Sequence, residues 1–107
     1  MELNSSSQEW YTYILYSEKI NKFYIGSTYN LEWRLERHIM GWGKFTKKGI
    51  PWRIVYFEKY DSSIKALTRE KEIKNKKSRK YLEQLIQSEE NVEKFYNNTI
   101  DISHFKE

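Results

Sequence analysis

Two short segments rich in aromatic and β-branched residues, Trp10 to Ser17 (WYTYILYS) and Lys22 to Thr28 (KFYIGST), are separated by only four residues, Glu18-Lys19-Ile20-Asn21. Residues of that type favour a pleated strand over a helix, and a polar four-residue connection closes an antiparallel hairpin. With a period of two, Tyr11, Tyr13 and Leu15 share one face of the first strand while Thr12, Ile14 and Tyr16 share the other. Both faces are largely apolar, so helices must cover the sheet on at least one side. Trp52 to Tyr60 (WRIVYFEKY), entered through Pro51, reads as a third strand.

Between these strands Asn30 is placed to cap a helix from Leu31 to about Met40, in which Leu31, Leu35 and Ile39 recur every fourth residue and Gly41 provides the stop. Arg34 and His38, also four apart, project beside that apolar stripe. A second helix starts after Ser62 or Ser63 and runs to about Lys77; a third covers Arg79 to Gln87 with Leu82, Leu85 and Ile86 inward. The expected fold is α+β, a small three-stranded antiparallel sheet flanked by helices in the order β-β-α-β-α-α. A chain of 107 residues supports one such core, residues 10–87, between a flexible segment at 1–9 and an acidic tail or short helix at 88–107.

The formal charge of +4 is unevenly spread: residues 65–80 carry eight basic and two acidic side chains. That run is either a solvated helix face or a phosphate-binding surface, with Lys74, Lys76 and Lys77 at its centre. The Gly- and Lys-rich connection Gly41 to Pro51 (GWGKFTKKGIP) offers Thr46, Lys47 and Lys48 as further backbone contacts, or is a solvated linker. The absence of cysteine excludes disulfides, a thiolate nucleophile and thiolate metal sites. No apolar run approaches the ~18 residues of a membrane span, so the expectation is a cytoplasmic protein that does not enter a membrane.

Glu70 is the most informative single residue. On the second helix it lies four after Ala66 and three before Ile73, so that helix's apolar stripe passes through a carboxylate. A carboxylate there needs a partner, either a neighbouring Lys or Arg or a divalent cation.

The ordered set of strand Tyr13, then Tyr24-Ile25-Gly26, then Arg34 and His38 on the next helix, then Arg69-Glu70 on a later one resembles the GIY-YIG nuclease family. Tyr11-Thr12-Tyr13 is a degenerate form of the first half-motif and Tyr24-Ile25-Gly26 a full match to the second. Ser27-Thr28, the helix Leu31 to His38, the Thr46-Lys47 loop, Pro51-Trp52 and Leu85-Ile86 are similar to the small stand-alone bacterial members related to the excision-repair nuclease domain. Two departures stand out: Tyr11 replaces the Gly of the first half-motif, and the Asn that many members carry after the Glu has no clear equivalent, Asn75 being too close to Glu70.

The resemblance implies a metal-dependent endonuclease hydrolysing DNA phosphodiester bonds, structure-selective and acting in repair or recombination. Tyr13 would be general base, Tyr24 would orient the water or a phosphate oxygen, Arg34 would neutralise the phosphoryl group, His38 would assist proton transfer, and Glu70 would hold a single magnesium or manganese ion. A tyrosine is a weak base at its usual pKa near ~10, so either neighbouring cations lower it or its proton passes to His38. RNA remains open as a substrate, no small-molecule cofactor is expected, and the chain is expected to be a monomer or weak oligomer. The alternatives are a non-catalytic nucleic-acid-binding module that retains the fold and a protein-interaction domain whose basic helix meets an acidic partner.

Overall fold

The computed structural model describes residues 8–39, 47–88 and 90, the side chains of residues 38 and 39 excepted. Six elements follow the expected order: β1 (Trp10–Ser17), β2 (Lys22–Thr28), α1 (Leu31–Ile39), β3 (Arg53–Tyr60), α2 (Ser63–Lys76) and α3 (Arg79–Ile86). The third strand begins at Arg53, one residue later than expected, because pairing with β1 ends at Tyr16 and Arg53; Trp52, just ahead of it, is fully buried. The Gly41 stop, Thr46 and the tail beyond residue 90 lie outside the described residues.

The sheet is antiparallel with strand order β2-β1-β3, which puts the strand that is apolar on both faces in the middle. On one face Tyr13 and Leu15 pack with Leu31 and Leu35 of α1 and with Trp52, Ile54 and Phe57. On the other, Ile14 packs with Tyr56, with Ile73 of α2 and with Leu82 of α3. Both faces are therefore covered, by α1 on one side and by α2 and α3 on the other.

One irregularity sets which residues of β3 face which helix. Ile14 pairs with Tyr56 but its neighbour Leu15 pairs with Ile54, so Val55 is an extra, unopposed residue. The bulge lets Ile54 and Phe57, three apart, share the α1 face, and turns Tyr56, Glu58 and Tyr60 to the other.

Local chemistry fixes the ends. Asn21 turns the hairpin in the left-handed region (φ 54), a conformation Asn tolerates better than most residues. Its side-chain oxygen accepts from the Tyr16 hydroxyl at 2.7 Å and from Arg79 at 2.6 Å, tying the start of α3 to the hairpin. Asn30 caps α1, its side-chain oxygen accepting from the Trp33 amide at 3.0 Å; Ser62 and Ser78 cap α2 and α3 in the same way at 3.2 and 3.1 Å.

Candidate active site

Tyr13 lies at the centre of the arrangement, 1% exposed on the central strand. Its register partner is Gly26, and its ring lies directly across that glycine. A Cβ at position 26 would stand 2.5 Å from the phenol oxygen and 2.7 Å from Cζ, although the glycine's φ lies outside the left-handed range. The glycine of the Tyr-Ile-Gly motif is thus explained by close approach: it is the slot in which the Tyr13 ring lies.

The phenol oxygen of Tyr13 accepts a hydrogen bond from Arg34 Nε at 3.3 Å. Arg34 reaches it because Leu31 and Leu35 bury the stripe of α1 on this face, which leaves the intervening turn at the margin of the core. The helix start is itself fixed to β2, Thr28 Oγ1 accepting from the Asn30 amide at 3.1 Å. Tyr24, opposite Leu15 and so on the same face as Tyr13, packs edge-on against Trp52 with ring centroids 6.4 Å apart.

Glu70 comes from the other layer. Its partners lie on the face that α2 covers, where Ser27 of the edge strand β2 stands opposite Thr12. The hydroxyl of Ser27 on β2 donates to Glu70 Oε1 at 2.6 Å, and Lys74 Nζ lies 2.5 Å from Oε2. The turn of α2 before Glu70 is held by Thr12, whose hydroxyl donates to the Ala66 carbonyl at 2.7 Å. The carboxylate, with its side chain 17% exposed, therefore has the cationic partner that its position on the stripe requires.

Electrostatics couple the four groups. Arg34 is held above its ordinary pKa by the hydrogen bond to Tyr13 and by the fields of Tyr13, Tyr24 and Glu70. Burial pushes the Tyr13 phenol up to about 12; Arg34 pulls the other way without overcoming it, and Glu70 and Tyr24 add to the rise. Of the two routes left open, Arg34 acts in the direction of the first, but desolvation of the buried ring is larger and leaves the phenol raised.

The remaining expected residues are more scattered. His38 falls on α1 one turn after Arg34, and its side chain lies outside the described residues. Lys47 and Lys48 are exposed just before Gly49, on the approach to β3. On α2, Lys74 is turned to Glu70, Lys76 stacks over the Tyr81 ring at 5.3 Å, and Lys77 is the left-handed C-cap (φ 47).

A second polar cluster was not anticipated from the sequence. Glu58 on β3 accepts from the hydroxyls of Tyr56 and Tyr60 and from Arg69 Nε at 3.0 Å, and Arg69 also bonds Glu72 at 3.1 Å. Burial works to raise Glu58, but hydrogen bonds from Arg69, Tyr56 and Tyr60 outweigh it and keep the carboxyl below its usual range. The available signal was the alternation Tyr56, Glu58, Tyr60, which puts all three on one face of a strand. Arg69 immediately precedes Glu70, so the cluster also anchors the turn of α2 that carries the carboxylate.

Among the described residues no group of three or more His, Asp or Glu side chains forms a metal cage, and no helix is long and apolar enough to cross a membrane. The oxygen donors at Glu70 are nonetheless its own carboxylate and the Ser27 hydroxyl, beside the Lys74 ammonium that a metal ion would have to displace. That set fits a hard cation such as magnesium, which is commonly held by one or two carboxylates and keeps several waters.

Residues 9–82 match the family model described as the GIY-YIG catalytic domain. A UPF0213 protein of Clostridium perfringens (strain 13 / Type A) is 42% identical over 92 residues, 81% of this chain and 97% of the relative. A UPF0213 protein of Pediococcus pentosaceus is 40% identical over 57 residues, 52% of this chain and 60% of the relative. No solved structure matches the chain significantly. The family match spans the hairpin, α1, β3 and α2, the elements that carry Tyr13, Tyr24, Arg34 and Glu70, and the chain belongs to the GIY-YIG catalytic-domain family.

Proposed function

We propose that this chain is a GIY-YIG-type endonuclease that hydrolyses DNA phosphodiester bonds, acting in the cytoplasm on structured DNA of the kind met in repair or recombination. The observation that carries the reading is the hydrogen bond from Arg34 to Tyr13 (3.3 Å), with both groups in the field of Glu70. Four elements contribute to one electrostatic neighbourhood, the guanidinium of α1, the phenols of β1 and β2 and the carboxylate of α2, and these are the groups a phosphate would need.

Arg34 neutralises the non-bridging oxygens as charge builds on the phosphoryl group, with no reorganisation needed because Tyr13 already holds the guanidinium. Tyr13 stays protonated at neutral pH, since burial holds its phenol at about 12. It therefore serves as a relay: the attacking water gives a proton to the Tyr13 oxygen while the phenol proton passes to His38. The water oxygen bonds to phosphorus, the phosphorus–oxygen ester bond to the departing nucleotide breaks, and Tyr24 orients the water. Glu70 would hold magnesium or manganese, which when bound supplies Lewis-acid stabilisation of the leaving oxygen. Lys47, Lys48, Lys76 and Lys77, with Thr46, contact the backbone, so binding weakens steeply with salt.

Cleavage of nicked, branched, single-stranded and duplex DNA with magnesium or manganese tests the reading. The parent should cut at least one substrate, and Glu70→Gln, which keeps an acceptor for Ser27, should fold normally and cut none. Silence of the parent on every substrate, or undiminished cutting by Glu70→Gln, would refute it. A non-catalytic binding module is the second reading, favoured by the present neutralisation of Glu70 by Lys74 and Ser27; DNA affinity insensitive to chelator together with no turnover would establish it.

A further inference from the structure

The start of α1 carries an aromatic surface that the catalytic groups do not use. Trp33 is 43% exposed, and Tyr29, just before the Asn30 cap, is 49% exposed. Here both rings are held in defined poses. The Arg37 guanidinium lies over the Trp33 ring, 4.5 Å from its centroid. Tyr29 stands edge-on to Trp10, centroids 5.6 Å apart, so its orientation is fixed from behind. Trp33 immediately precedes Arg34, and Tyr29 immediately follows Thr28, which ties β2 to the α1 start.

We propose that Trp33 and Tyr29, with Arg37, form a stacking platform for an unpaired nucleobase of the strand whose phosphate Arg34 receives. The ligand is a single-stranded stretch of nucleic acid, because only an unpaired base presents its face to a side chain. A base pair inside a duplex has both faces covered by its neighbours. The cation beside the ring suits the same occupant: a guanidinium stacks on aromatic faces and neutralises a phosphate, whereas an apolar protein partner would have to desolvate it. This deepens the nuclease reading by naming the substrate class at that site, and it rests on that reading for the role of Arg34 alone.

Binding can be measured without catalysis. The full chain is titrated, in EDTA, with a fluorescent oligothymidylate, the same length of abasic backbone, and a blunt duplex. The parent should bind the oligothymidylate better than the abasic strand or the duplex. Trp33→Ala should lose about tenfold on the oligothymidylate, the size of a lost base–aromatic stack, and change little on the abasic strand. Trp33→Phe should recover most of the affinity, and the exposed position leaves the melting temperature of both variants near the parent's. Equal losses on abasic and base-bearing strands, a parent that prefers duplex, or no binding by the parent would overturn the proposal. So would self-association that Trp33→Ala abolishes without touching oligonucleotide binding, since the patch would then be a dimer face. Stacking-dependent binding by a parent that cleaves nothing would leave the platform standing and remove the nuclease reading, so the two failures are distinguishable.

Discussion

Replacing Gly26 by alanine is the sharpest probe of how the central tyrosine is held. The added Cβ meets the Tyr13 oxygen at 2.5 Å and Cζ at 2.7 Å, where ordinary contacts begin near 3.4 Å, so the ring must retreat by about 1 Å. It has nowhere easy to go, because Leu15, Leu35, Trp52 and Phe57 of the same cluster are each 3% exposed or less. Overpacking of that kind costs about 1–3 kcal/mol, and loss of the Arg34 hydrogen bond adds about 1 kcal/mol. Alanine's lower conformational entropy in a strand returns about 0.5–1 kcal/mol. A net loss of about 1–3 kcal/mol in a domain of this size lowers the thermal midpoint by roughly 5–20 °C. Urea unfolding followed by circular dichroism measures it. The decisive comparison is the same substitution in a Tyr13→Leu background, where no ring occupies the slot: there Gly26→Ala should be neutral or mildly stabilising. An equal penalty in both backgrounds would show that the glycine serves something other than the passage of the Tyr13 ring.

Alkaline pH should unfold the protein through the same residue. The Tyr13 phenol is at about 12 in the folded state and near ~10 unfolded, so the native state binds the extra proton. The resulting stabilisation, about 3 kcal/mol, is fully present below pH ~10 and is lost as pH rises through ~12. Burial also raises Tyr56, and raises Tyr60 to about 12, so both add to the loss; Tyr13→Phe should flatten the decline in urea midpoint between about pH 9 and 12, and an unchanged slope would contradict the assignment. Arg69→Met should cost about 2–3 kcal/mol, somewhat less than removing one partner of a fully buried pair, because the Arg69 and Glu58 side chains keep 21% and 17% exposure. The double variant with Glu58→Gln should recover much of that in equilibrium unfolding, and a single-variant loss below ~0.5 kcal/mol would reduce the cluster to an ordinary surface pair.

The local signals in the chain were strong where each element carried its own instruction. Asn30, and Ser62 or Ser63, announced the first two helix starts, and the aromatic hairpin with its polar connection marked β1 and β2 almost to the residue. Glu70 was conspicuous because it interrupts the stripe between Ala66 and Ile73, and the structure gives it the cation that such a position demands. What stayed hidden depends on contacts across elements. The Val55 bulge arises from pairing with β1, so no periodicity within β3 reveals it. The rise in the Tyr13 phenol follows from how completely Leu35, Trp52 and Phe57 enclose it, which spacing does not encode. Ser27-Thr28 carried the family resemblance, but the role of the Ser27 hydroxyl as a donor to Glu70 at 2.6 Å depends on where α2 packs and is not written in the spacing.

The bulge also makes β3 a strand that counts. Its residues before position 55 and those after it obey opposite parities, so what each side chain touches depends on the number of residues as much as on their identity. Substitution along the strand changes one contact at a time, and deletion of Val55 would only remove the extra residue, leaving Ile54 and Phe57 on one face and Tyr56 and Glu58 on the other, whereas deletion of Phe57 would exchange the faces of the residues after it. With Phe57 removed, the carboxylate of Glu58 would turn toward the Tyr13 layer and Arg69 would lose its counter-ion one residue before Glu70. Lineages of this chain are thereby free to vary in composition between Pro51 and Tyr60 but constrained in length beyond the bulge, and a gap at Val55 should be better tolerated than one at Phe57.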